Sequence, residues 1–259
     1  MSRAGRVRRI GTETRAALRT FLRRRTAVFF TFVFPVVLVV IFAGLVRTGG
    51  AGTGLFSRPS GYYVPGYLSV VVLFTPLSRV GSEVARHRDA NRFEKFASTP
   101  LTRYEWLAAQ SAVNVALILV ASAAILALLS LFGTPVALSV WTAPFVVVGS
   151  VLFCGVGATI GAVASSQDGA ISMSNGIALP TLFLSETFVA PEQFPAWFEP
   201  ATLLSPLTYF TRGVRAAGYA TPPAGLLPSM GPGGYLAILV ALAIASVLVG
   251  GRTLTWTEP

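Results

Sequence analysis

Charge is scarce in this chain of 259 residues: Asp, Glu, Lys and Arg make up 12% of it, where an ordinary soluble domain carries about a quarter. Histidine and cysteine occur once each, as His87 and Cys154. A single cysteine excludes a disulfide framework and a thiolate metal cluster, and its place in an apolar run reads as a small core side chain. A single histidine with no Asp or Cys cluster around it excludes most zinc chemistry, and its neighbours in "ARHRD" read it as a solvated residue. No G-x-x-x-x-G-K-[ST] phosphate loop is present, so the chain does not bind ATP in that manner. A serine nucleophile would lack a base inside the apolar segments. Internal repeats are missing as well, so nothing signals a duplicated transporter half.

What is present is apolar length. Hydrophobic residues make up 53% of the chain and the mean hydropathy is +0.68. A helix needs about 20 apolar residues to cross the hydrocarbon core of a bilayer. The sequence predicts an all-α polytopic membrane protein, one domain over 1–259, with six transmembrane helices at about 26–46, 62–79, 106–132, 141–165, 169–189 and 234–251. The first run is too long for a signal peptide and no small-x-small cleavage site follows it, so it reads as a retained span.

The twenty basic residues sort by loop. Sixteen precede span one, lie between spans two and three, or follow span six; four (Arg47, Arg58, Arg212 and Arg215) fall on the other side. That distribution argues against nucleic-acid binding and, by the positive-inside rule, predicts both termini in the cytoplasm.

Residues 1–25 predict an interfacial amphipathic helix, with Val7, Ile10, Thr14, Ala17, Leu18 and Phe21 on one stripe and arginines opposite. It serves as a topology anchor or as a grip on a partner. Pro35 predicts a kink in span one. Tyr62, Tyr63 and Tyr67 predict an aromatic belt at the outer interface, and Gly157 and Gly161 in span four form a G-x-x-x-G pair suited to close packing within the chain. Residues 190–233 form an outer segment and loop whose first part, "APEQFPAWFEPATLLSPLTYFTRGVRAAGY", is too apolar for a solvated loop and too broken by Pro191, Pro195, Pro200 and Pro206 for another span. They predict a re-entrant pair of short helices with interfacial aromatics Phe194, Trp197, Phe198, Tyr209 and Phe210. Glu186, at the outer end of span five, is the clearest ionisable residue within a span; it reads as close enough to the surface to be hydrated.

Between spans two and three, residues 88–105 interrupt the apolar pattern with "RDANRFEKFASTPLTRYE". The segment predicts a short helix presenting Phe93 and Phe96 among charges, with Ser98 or Thr99 and Pro100 starting the helix that leads into span three. Exposed aromatics among alternating charges make a docking surface; a solvated loop with incidental aromatics is the other reading.

Two blocks resemble the membrane subunits of ABC-2 type (type V) exporters, which include drug, lipid and polysaccharide export permeases. In the first, Arg88, Asp89, Phe93, Glu94, Ser98, Thr99, Pro100, Leu101, Thr102, Arg103 and Glu105 look like that family's coupling helix. In the second, Leu179, Pro180, Phe183, Leu184, Ser185, Pro191, Pro195, Pro206, Leu207, Thr208, Tyr209 and Arg215 hold the positions of its outer segment. Asn91 and Arg92 stand where the family usually has Gly-Thr, Glu186 where it has Gly, and Ser205 where it has Asn.

The resemblance implies a subunit that is not itself an enzyme and binds no cofactor, in a prokaryotic cell membrane. A separate ATPase subunit would carry ATP and Mg, and a second permease subunit would complete a homodimeric path through lipid. Coupling to the ATPase then falls to Arg88, Asp89, Arg92, Phe93, Glu94, Phe96, Thr99, Pro100, Leu101, Arg103 and Glu105. The outer gate falls to Glu186, Phe188, Pro191, Phe194, Pro195, Trp197, Pro206, Tyr209 and Arg215. Phe34, Phe74, Asn175 and Phe183 are the residues expected along the path. Outward transport rests on the resemblance alone, and a path without charges suits an amphiphilic, lipid or lipid-linked cargo. A secondary transporter or channel is the alternative, and a membrane-embedded enzyme a third class; the first calls for intramembrane acids or a repeat, the second for a catalytic cluster.

Overall fold

The computed structural model describes residues 3–48, 58–137, 139–218 and 230–256. Among them all regular structure is helical: α1 (Arg3–Arg23), α2 (Arg25–Thr48), α3 (Val64–Asp89), α4 (Arg92–Ala97), α5 (Arg103–Leu131), α6 (Thr142–Val163), α7 (Gln167–Phe183), α8 (Glu199–Thr202), α9 (Pro206–Gly218) and α10 (Pro232–Thr253), with 3-10 turns at Ser60–Tyr63 and Pro191–Gln193. Four helices, over Ser60–Asp89, α5, α6 and α10, are long and apolar enough to cross a membrane. The chain turns by 92° at Arg24 between α1 and α2, and this bent pair gives a fifth candidate.

Local chemistry sets several of the ends. Thr102 caps α5: its hydroxyl accepts from Glu105 N at 3.2 Å while the Glu105 carboxylate accepts from Thr102 N at 3.0 Å, a reciprocal capping box. Helix α5 therefore begins at Arg103, and Pro100 lies outside it, because two side chains satisfy its first donors three residues further on. Ser166 caps α7 by accepting from Gly169 N at 3.0 Å. Helix α7 stops at Phe183, short of the expected 189, where the chain after Pro180 folds into a turn. Helix α3 runs past the expected 79 to Asp89, since nothing between Ser78 and His87 breaks it.

Helix α6 is the centre of the bundle, packed against α3, α5 and α10. Its small residues permit this. A β-carbon on Gly157 would lie 2.7 Å from the Leu77 carbonyl oxygen of α3, and one on Gly161 would strike the Gly81 carbonyl. On another face, Gly155 meets the backbone of Ser246 on α10. The expected intrachain use of the glycine pair is what the fold contains. Cys154 is fully buried beside these contacts, also as expected.

The tyrosines at the start of α3 depart from the expected belt. Tyr63 and Tyr67 are buried and Tyr62 is half-buried, because the end of α3 is roofed by other segments; Phe188 packs edge-on to Tyr67 at 6.2 Å between centroids. The stripe on α1 is only partly placed as expected: Ala17 and Phe21 pack on Val113 and Leu117 of α5, while Val7 is exposed.

Gly161→Ala forces a methyl group into backbone that cannot yield, so overpacking should cost about 1–3 kcal/mol. Gly176, with nothing within 4 Å of its added β-carbon, should accept Ala without loss. Thermal unfolding of the two variants in one detergent checks the contrast.

Candidate functional site

The two ends of the bundle carry its polar chemistry. At the basic end, α3 closes with Ala90 and Asn91, whose amides donate to Arg86 and Arg88 carbonyls at 3.2 and 2.9 Å. Asn91 has φ +51°, in the left-handed region. Glycine adopts that conformation freely and asparagine tolerates it better than most residues. This is the physical reason an asparagine serves at this turn.

The turn sends the six-residue α4 back beneath α3. Phe93 is buried, not exposed: it stacks on His87 at 5.6 Å, meets Trp106 edge-on at 5.5 Å and lies parallel to Trp256 at 6.3 Å. Phe96, half-buried, touches His87 at 5.8 Å and Trp256 at 5.8 Å. His87 is buried among these rings, against its reading as solvated, with Nδ1 2.7 Å from the Glu83 carbonyl oxygen. The reason is packing: Phe93 and Phe96 of α4 and Trp106 of α5 surround the imidazole, and Trp256 of the C-terminal segment backs the two phenylalanines.

With its rings turned inward, α4 shows solvent its charges. Arg92, Glu94 and Lys95 are exposed, as are Asp89, Thr99 and Pro100; Leu101 is half-buried. Other basic residues tie the region to its surroundings. Arg88 Nη1 donates to the Ala162 carbonyl at 3.1 Å, and Arg103 Nη1 reaches the Arg252 and Leu254 carbonyls at 3.4 and 3.3 Å. Glu105, buried, takes Arg9 of α1 in a two-point pair, with Nε 3.1 Å from Oε2. Arg9, Trp106 and Trp256 were not among the expected site residues, and only Trp106, adjoining the charged block, carried a local signal.

The opposite end contains a buried charge cluster. Glu186, expected at a hydrated surface, is fully buried in the turn after α7. Its two oxygens accept from Arg212 Nε at 2.9 and 2.8 Å, and Arg212 Nη2 adds a further bond. Arg215, 2% exposed, donates from Nη2 to the Glu186 carbonyl at 2.6 Å and from Nε to the Tyr62 carbonyl at 3.3 Å. Arginines three apart share a face of α9, and that face turns inward. Sequence reasoning missed Arg212; its signal was that spacing inside an otherwise apolar segment.

The rest of the outer segment folds as two short helices, α8 and α9, after a 3-10 turn. Ser205 Oγ donates to the Thr181 carbonyl at 2.7 Å, Thr208 Oγ1 to Thr202 at 2.6 Å and Tyr209 Oη to Leu203 at 2.9 Å. These bonds fold the segment around Pro206 and fix it to the end of α7. Pro191 is buried and Phe188 half-buried, Phe194 and Phe198 pack at 5.3 Å, and Pro195 and Trp197 are exposed. Of the expected path residues, Asn175 and Phe183 are exposed on α7 while Phe74 packs half-buried on the core; the side chain of Phe34 lies outside the described residues.

Glu186→Ala would strand two buried guanidiniums, and removing one partner of a buried pair typically costs about 3–5 kcal/mol. Glu192→Ala, which breaks the exposed pair with Arg58, should cost under about 1 kcal/mol. Thermal melts of both variants beside the unmodified protein check the difference.

A family model described as ABC-2 type transporter matches residues 8–219, from the first turns of α1 to the end of α9. No curated protein matches the chain. The match includes α4, the cluster around Glu186 and most of the chain, which belongs to the ABC-2 type transporter family.

Proposed function

We propose that this integral membrane transport protein is the permease subunit of an exporter, driven by a separate ATPase subunit that docks on α4. One observation carries the reading: α4 is anchored through its rings and presents Arg92, Glu94 and Lys95 outward. Such a helix recognises a partner by charge while its aromatic underside transmits the contact. This assigns Phe93 and Phe96 to anchoring, with recognition left to the polar residues around them.

ATP and Mg belong to the partner in this reading. Closure of the ATPase pushes on α4, and the push reaches α3 through His87, α5 through Trp106 and the C-terminal segment through Trp256. The basic end faces the cytoplasm by the positive-inside rule, and the prokaryotic cell membrane is the one the family resemblance implies. Helices α2 and α7 supply the remaining two of six spans. With 17 residues, α7 is about 25 Å long, slightly short of a hydrocarbon core of about 30 Å. The buried turn around Glu186 makes up the difference, since its polar groups are satisfied by α9.

A second copy of the subunit faces α7, where Asn175, Leu179 and Phe183 are exposed at four-residue spacing. The cargo path runs along this stripe, and a largely apolar lining suits an amphiphilic drug-like, lipid or lipid-linked molecule. The segment holding α8 and α9 forms its outer lid. A gradient-driven carrier would need a carboxylate free to load an ion, whereas both oxygens of Glu186 are engaged by Arg212.

The combined charge reversal Arg92→Glu, Glu94→Arg, Lys95→Glu should abolish recovery of an ATPase subunit when the protein is purified from its native membrane in mild detergent. The melting temperature should stay unchanged, since all three side chains are exposed. Phe93→Ala should instead lower it, removing a buried aromatic at a cost of about 3–5 kcal/mol. Retention of the ATPase and of transport in the charge-reversed variant would overturn the docking role.

A further inference from the structure

The charge cluster at the α9 end does not balance. Arg58, Arg212 and Arg215 face Glu186 and Glu192, leaving one positive charge in excess. Glu186 is occupied by Arg212, and Glu192 is held by Arg58 Nη2 at 2.7 Å. Arg215 has used Nε and Nη2 on backbone carbonyls. Its Nη1 is buried with no hydrogen-bond acceptor, 3.9 Å from the nearer Glu186 oxygen.

A second polar atom is in the same condition. Tyr62 Oη is buried without a hydrogen-bond partner, and the ring that bears it lies 3.9 Å from the Arg215 guanidinium carbon. The Arg58 guanidinium carbon is 5.8 Å from that ring. Ring contact offsets part of the cost of a buried cation, but it supplies neither a counter-charge nor an acceptor. A trapped water would satisfy hydrogen bonds and leave the charge. An anion does both.

We infer that Arg215 Nη1 and Tyr62 Oη form a binding site for one phosphate group, reached by parting the Arg58–Glu192 pair beside them. That pair is the accessible edge of the cluster, with side chains 39% and 44% exposed. A guanidinium matches phosphate oxygens in geometry and charge, and a phenol adds a neutral donor. The phosphate is that of an anionic lipid headgroup or of free phosphate. The headgroup is favoured because the outer segment that carries Glu192 also exposes the ring of Trp197, a residue type enriched where headgroups lie. The inference needs this end to lie within a leaflet and does not depend on the ATPase or on the cargo.

The test uses the purified full chain in detergent, without any ATPase, and reads its melting temperature against added phosphatidylglycerol, phosphatidylcholine or inorganic phosphate. Phosphatidylglycerol should raise the melting temperature where phosphatidylcholine does not. Loss of a charge-assisted bond should weaken that response by roughly tenfold in Arg215→Gln. Tyr62→Phe keeps the ring under the guanidinium and removes only the hydroxyl; it should fold normally and weaken the response less, which keeps the test decisive if Arg215→Gln fails to fold. A response to inorganic phosphate alone, reduced by Tyr62→Phe, would support the site with the free ion as occupant. Equal responses to phosphatidylglycerol in the unmodified protein and Tyr62→Phe would place the lipid on the arginines of α1 and overturn the inference, as would no response to either phosphate source. Neither failure touches docking on α4, and loss of docking would leave this binding intact.

Discussion

Helix α6 can occupy the centre of the bundle only because its glycines let other backbones come close. In a bilayer, lipid tails are as apolar as leucine, so helices gain little by hiding apolar side chains from them and associate through tight van der Waals contact. Gly157 and Gly161 face α3, Gly155 faces α10, and both partners are thereby held by one helix. Everything functional hangs from those partners. Helix α3 carries the aromatic cluster at one end and Tyr62 near the other, and α10 leads into Trp256.

Two solutions to the problem of polar groups near lipid appear at the two ends. At the basic end, one carboxylate, Glu105, completes the cap of α5 and receives Arg9 from α1, so helix capping and tertiary attachment share an atom group. At the other end, Glu186 enters an interior with two arginines, and backbone carbonyls of the same turn take up much of the second guanidinium. The first arrangement stays near water. The second is buried, and apart from its exposed edge at Arg58 and Glu192 its bonds are made within the protein.

Much of the architecture was legible in the sequence because apolar length and loop charge are consequences of composition. The packing use of Gly157 and Gly161, the buried Cys154 and the paired short helices after Pro191 could all be read this way. The site was less legible. Phe93 and His87 looked solvated because their sequence neighbours are charged, yet their spatial neighbours are Trp106 and Trp256, the latter distant in sequence. Glu186 looked hydrated because it stood near the end of an apolar run, and only the turn after Phe183 brings it to Arg212. Local composition reports which residues adjoin along the chain; burial depends on which segments fold over them.

Helix α4 has six residues, too few to hold a helical shape alone in water. Its form is therefore imposed by the rings beneath it, and those rings belong to three separate stretches of chain. A displacement applied to its charged side cannot be absorbed by bending within α4, and it cannot be passed to one span in isolation. The arrangement works as a shared footing: whatever moves α4 bears on all three stretches at once.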